Sequence, residues 1–145
     1  MKNKKIAIGC DHAGFELKEI IKKHLTNQHF LVEDFGVFSD ERADYPDYAH
    51  QVAIAVENKN DDLGIIICGS GNGINMTANK HQGIRSALCW KAEIAELARL
   101  HNNANIIALP ARFITVEEAK NCVDVFLTTD FEGGRHSERV NKISC

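Results

Sequence analysis

Leu63-Gly64-Ile65-Ile66-Ile67-Cys68 constrains the fold more than any other stretch of this chain. It is a short, continuous apolar run rich in β-branched residues, with no polar residue to face water. A strand of that kind is covered on both faces, the position of a central strand in a parallel sheet. Parallel neighbours need crossover connections, usually helices, so the run predicts an alternation of strands and helices.

The rest of the chain follows that alternation. Lys5 to Ile8 reads as a first strand, and Phe15, Leu17, Ile20, Ile21 and Leu25 mark a helix over 15–25. Phe30-Leu31-Val32 opens a second strand running to about Phe35, and Val52, Ala53, Ala55 and Val56 give a core face to a helix over 48–56. After the central run, a glycine turn leads into a helix ending near Lys80. Strands over 85–89 and 105–109 flank a helix over 92–100. Thr115 caps a helix over 116–127, and a short helix begins near Ser137. The expected fold class is α/β: a single-domain three-layer sandwich, residues 1–145, around a five-stranded parallel Rossmann-like sheet. In such a sheet ligands sit beyond the carboxyl ends of the strands, so the chemistry is expected in the loops that follow strands.

Composition narrows the function. With 145 residues, 44% of them apolar and 26% charged, the chain can bury one core without cross-links. Its net charge of -3 offers no basic field for nucleic acid. No apolar run reaches the roughly 20 residues of a membrane span, and the basic start leads into too short an apolar stretch for a secretory signal. A cytoplasmic location is expected. Five cysteines with no Cys-x-x-Cys pair argue against a disulfide framework or a zinc site. Cys89 and Cys122 read as small core residues, and Cys145 as incidental.

Five clusters could carry chemistry. In Gly9-Cys10-Asp11-His12-Ala13-Gly14, Asp11 either caps the following helix or, with His12, faces a ligand; Phe15 and Glu16 exclude a P-loop. In Cys68-Gly69-Ser70-Gly71-Asn72-Gly73, alternating glycines let backbone N–H groups approach a ligand. Ile74 excludes the arginine of a phosphatase loop. A thiol before a helix is favoured as thiolate, so Cys68 could be a nucleophile or a base; a structural cysteine is the alternative. His101-Asn102-Asn103 could supply an acid or base, or be a polar turn. Arg112 stands alone. Arg135 and Arg139, four apart, share a helical face that suits phosphate or is merely solvated.

Taken in order, these stretches, with Asp44-Tyr45-Pro46-Asp47-Tyr48-Ala49 and Ala78-Asn79-Lys80, resemble the type B ribose-5-phosphate isomerase family, which includes galactose-6-phosphate and allose-6-phosphate isomerases. The resemblance implies an aldose-ketose isomerase of the pentose phosphate pathway, acting by enediolate proton transfer. It implies Cys68 as the base between C1 and C2, His101 as the ring-opening acid, and Ser70 where many members have threonine. It implies substrate contacts at Asp11, His12, Gly69, Ser70, Gly71, Asn72, Gly73 and Asn102, and phosphate-side residues at Arg112, Arg135, His136 and Arg139. One branch uses a glutamate at the position of Ile74 in place of the cysteine; here the cysteine is present. The resemblance further implies no metal or cofactor, a phosphorylated sugar as partner, and a homodimer or homotetramer with sites at the subunit interface. A six-carbon sugar phosphate is the alternative substrate, and a non-catalytic sugar-phosphate-binding module the alternative function.

Overall fold

Five parallel strands form one sheet in a computed structural model that describes residues 4–145. They are β1 (Lys5–Cys10), β2 (Leu31–Asp34), β3 (Leu63–Cys68), β4 (Ser86–Leu88) and β5 (Ile106–Pro110), in the order β2-β1-β3-β5-β4. The predicted central run is indeed central: β3 pairs with β1 on one side and β5 on the other, and every residue of it is buried. The helices are α1 (Phe15–Asn27), α2 (Tyr45–Glu57), α3 (Asn72–Ala78), α4 (Ala92–Asn102), α5 (Val116–Thr128) and α6 (Arg135–Asn141). Among the described residues no helix is long and apolar enough to cross a membrane.

The period-2 alternation of the strands sorts the core into two layers. Ile65 and Ile67 pack with Leu17, Ile21, Leu25, Val123 and Phe126 from α1 and α5, a layer that α4 joins through Ala95 and Ala98. Ile66 and Cys68 point the other way, among Ala49, Val52 and Val56 of α2 and Ile74 and Ala78 of α3. This is the expected three-layer sandwich.

Local chemistry explains the element ends. Thr115 closes a capping box on α5: its hydroxyl accepts from the Glu118 N–H at 3.1 Å, and its own N–H donates to Glu118 Oε1 at 2.9 Å. Two of the boundaries that differ from the sequence reading bear on the site. α2 begins at Tyr45 rather than Tyr48, because Pro46 occupies its first turn, where a missing N–H is harmless. α4 runs on through His101 and Asn102 and ends on Asn103, which takes the left-handed conformation at φ 47°. His101 therefore sits in the last helical turn, not in a loop.

Candidate active site

The carboxyl ends of β1 and β3 lie side by side at the point where the chain turns from one side of the sheet to the other. That crevice is the favoured ligand position in an open α/β sheet. Asp11 follows β1, and its N–H donates to the Ile67 carbonyl at 3.3 Å, joining the two strand ends. The Asp11 carboxylate accepts from Ala13 N at 3.0 Å and Gly14 N at 3.3 Å through one oxygen. The capping role weighed from sequence is therefore real, and it leaves the second oxygen unengaged by these bonds. His12 is anchored by Nδ1, 3.1 Å from both the N–H and the carbonyl of Ala43.

A buried ion pair props this loop. The Lys18 side chain is fully buried, with Nζ 2.6 Å from Asp34 Oδ2 and 2.9 Å from Glu19. Burial opposes charge on Lys18, but the bonds to Asp34 and Glu19 outweigh it and raise its pKa. Asp34 also accepts from the Gly36 N–H at 2.9 Å, and the Gly36 carbonyl accepts from Cys10 N at 2.8 Å. The backbone leading into Asp11 is thus tied to a paired charge. The sequence reading gave Lys18 no role, because a lysine on a helix is usually solvated.

Four of the five cysteines are buried, and all five are free thiols. Burial pushes Cys10 and Cys89 up to about 12 and Cys122 to about 11, which keeps them protonated. Cys68 differs by position: it ends β3 at the mouth of the crevice. Its carbonyl accepts from Ala111 N at 2.9 Å, and Gly69 O accepts from Arg112 N at 2.9 Å, so the segment after β5 is clipped to the segment after β3. The Arg112 guanidinium passes 3.2 Å from where a β-carbon on Gly69 would stand. Gly71 adopts φ +78°, the left-handed region that disfavours side chains, and a β-carbon there would run into Leu88. The Ser70 hydroxyl accepts from the Asn72 N–H at 3.3 Å.

Tyr45 closes the other side of the turn. A β-carbon on Gly73 would fall 2.5 Å from Tyr45 Cζ, so only glycine lets the ring lie there. Tyr45 was missed as a site residue because α2 was read from Tyr48; the Pro46 that starts the helix was the available signal. Beyond Ser70 and Asn72 a cleft of about 370 Å³ continues between Leu88, Pro110, Trp90 and Phe113, the last two largely exposed.

The remaining candidates stand elsewhere. His101 and Asn102 end α4 immediately before β5 starts, at the amino edge of the sheet. α5 runs back from the carboxyl edge, so Glu132 and the start of α6 also reach the amino edge. There the Glu132 N–H donates to the Leu100 carbonyl at 3.1 Å. His101 and His136 stack, with ring centroids 4.2 Å apart and planes 14° apart. Buried Arg99 pins this corner, donating to the Thr129 carbonyl at 2.9 Å and the Ala104 carbonyl at 2.5 Å. Arg135 and Arg139 lie on α6 beside this stack. Asn102 lines a separate cleft with Asn79, Arg85, Ser86 and Ile143.

One chain therefore holds two groups of candidates rather than one. Asp11, His12, Cys68 through Gly73 and Arg112 share the carboxyl edge. His101, Asn102, Arg135, His136 and Arg139 share the amino edge. The edges are separated by the length of a strand, five residues of β5 at about 3.3 Å each, or about 16 Å. The expectation that all the chemistry follows strands holds for the first group only.

Comparison with known proteins finds relatives along nearly the whole chain. Residues 6–143 match the family described as Ribose/Galactose Isomerase. A curated relative, ribose-5-phosphate isomerase B of Escherichia coli K12, is 49% identical over 142 residues, covering 98% of this chain and 95% of the relative. The crystal structure of a ribose 5-phosphate isomerase from Thermotoga maritima superposes with a TM-score of 0.96 at 50% identity, covering 97% of both chains. Ribose-5-phosphate isomerase B from Mycoplasma genitalium, solved with bound ribulose-5-phosphate, gives a TM-score of 0.93 at 46% identity, covering 99% of this chain and 95% of that one.

Proposed function

The chain belongs to the ribose/galactose isomerase family, and from that membership we propose that it interconverts ribose 5-phosphate and ribulose 5-phosphate. The observation that carries this reading is the Cys68 thiol at the mouth of a glycine turn walled by Arg112 and Tyr45. The relative that binds ribulose-5-phosphate at 46% identity supports the five-carbon substrate.

The two groups of residues work together when two chains meet. The carboxyl edge of one chain faces the amino edge of a second, so that His101, Arg135 and Arg139 of the partner subunit complete the site around Cys68. A homodimer, alone or paired into a tetramer, is the smallest working unit. Arg112 and the partner subunit's Arg135 and Arg139 hold the phosphate, which fixes the sugar carbons over the thiol. His101 of the partner subunit protonates the ring oxygen while the anomeric hydroxyl gives its proton to solvent, so the bond from C1 to the ring oxygen breaks and the open-chain aldehyde forms. The Cys68 thiolate removes the C2 proton, and the N–H groups of the turn receive the charge that develops on oxygen. The same thiol returns the proton to C1, while the hydroxyl proton moves from O2 to O1, giving the ketose. Asp11 and His12 contact the sugar from the β1 side, Ser70 and Asn72 from the turn, and His136 and Asn102 of the partner subunit from the far edge.

Imidazole serves the ring opening and the thiol serves the carbon-to-carbon transfer, so the scheme calls on no metal or cofactor. The activity belongs to the pentose phosphate pathway, in the cytoplasm. The test is turnover of ribose 5-phosphate by the purified protein, followed as ribulose 5-phosphate, beside allose 6-phosphate and galactose 6-phosphate. Cys68→Ala should lower kcat by about a thousandfold while leaving substrate binding in place. Near-normal turnover by that variant would remove Cys68 from the mechanism. Faster turnover of a six-carbon phosphate would replace the substrate.

A further inference from the structure

The amino-edge cluster contains an unmet demand. His136 is buried, and its Nε2 makes no hydrogen bond. Buried polar groups are normally paired, because an unpaired one has lost its water and gained nothing in return. Glu132 Oε1 lies 3.4 Å from that nitrogen. Two ligands about 2.0 Å from a tetrahedral zinc ion stand about 3.3 Å apart, so this pair already has a metal-binding spacing. His101 adds a third donor, and the ligand atoms of the three residues all lie within 4.8 Å of one another. The two rings are stacked, with their planes 14° apart. A rotation of His101, half-buried at the end of α4, turns its nitrogen toward the other two. The exposed Glu132 carboxylate gives an ion a path from solvent. Two imidazoles and one carboxylate form a donor set that zinc accepts with a position left open.

We propose that His101, Glu132 and His136 form a binding site for a divalent transition-metal ion, zinc in particular, and that filling it withdraws His101 from ring opening and inhibits isomerisation. The inhibitory half rests on the role given to His101 under the proposed function; the binding half does not.

The test uses the untagged full-length chain with Co²⁺ as a spectroscopic probe and Zn²⁺ as competitor and inhibitor. The wild type should show visible cobalt bands at one ion per chain, and Zn²⁺ should abolish them. His136→Asn should lose them. Glu132→Gln, a surface change outside the isomerase scheme, should keep basal activity and bind Co²⁺ about tenfold more weakly or worse. Zn²⁺ should inhibit wild-type turnover of ribose 5-phosphate reversibly to EDTA, and Glu132→Gln should shift that inhibition curve by the same factor. Absence of cobalt bands in the wild type overturns the site. So does wild-type affinity in both variants, the result expected if the hydrogen-bonded His50–His81 pair, 2.8 Å apart, takes the ion instead. Full turnover with the three residues saturated by Zn²⁺ overturns the inhibitory half. Cobalt binding at these residues, in a protein that fails to turn over ribose 5-phosphate before any metal is added, would sink the isomerase reading and leave the metal site standing.

Discussion

Mixing two inactive variants gives a sharp test of the divided site. Cys68→Ala removes the proposed base at the carboxyl edge, and His101→Ala removes the imidazole at the amino edge, about 16 Å of strand away. In a two-fold dimer whose sites each take Cys68 from one chain and His101 from the other, a heterodimer of these variants holds one site with both defects and one with neither. Equimolar unfolding and refolding at random yields half heterodimers, so the mixture should recover about a quarter of wild-type activity. If both residues served a site within one chain, every site in the heterodimer would carry one defect, and nothing would be recovered. The assay is ribulose 5-phosphate formation by the refolded mixture, against each variant refolded alone, with heterodimer content measured by native mass spectrometry. Heterodimers present without recovered turnover would refute the shared site.

Two further predictions concern the frame around the site. Asp61 is buried beside Glu33, with the Lys5 ammonium 4.0 Å away; burial first, and then Glu33, raise its carboxyl from 3.8 to about 7 against the pull of Lys5. The folded chain thus keeps a proton that the unfolded chain releases, so stability falls as pH rises from about 4 to 7 and levels off above that. Asp61→Asn should flatten this slope and gain about 2 kcal/mol at pH 8 in urea melts, with little gain at pH 4; a loss at pH 8 would contradict the argument. Gly71→Ala forces a side chain into φ +78° and against Leu88, and should cost about 1–3 kcal/mol together with much of kcat. An unchanged urea midpoint and turnover would mean the turn is not held as described.

Much of the fold was legible because its signals are local. The buried β3 reads as a continuous apolar run, α1 as a stripe of Phe15, Leu17, Ile21 and Leu25, and α5 as a capped amphipathic helix. The order of strands was not legible, since nothing in the residues of β4 and β5 records that β5 inserts between β3 and β4. For the site, Cys68 and its turn could be found because glycine spacing is itself a backbone constraint. The split between the edges was also available, though indirectly. In a parallel sheet, a residue that precedes a strand lies at the opposite edge from one that follows a strand. His101 precedes β5 and Cys68 follows β3. Lys18 and Asp61 could not have been found, because burial of a charged side chain depends on packing that no local pattern records.

The alternation of β3 makes the location of the thiol a matter of parity. Cys68 shares its face with Ile66, while Ile65 and Ile67 belong to the opposite layer. Inserting or deleting one residue between Leu63 and Cys68 would exchange the two layers. The sulfur would turn in among α1 and α5, and after an insertion an isoleucine would take its position beneath the glycine turn. Substitutions within the strand can be absorbed by neighbouring side chains, but an odd change in length cannot. The number of residues between the start of β3 and the turn therefore decides which layer receives the thiol, as firmly as the choice of cysteine decides that there is one.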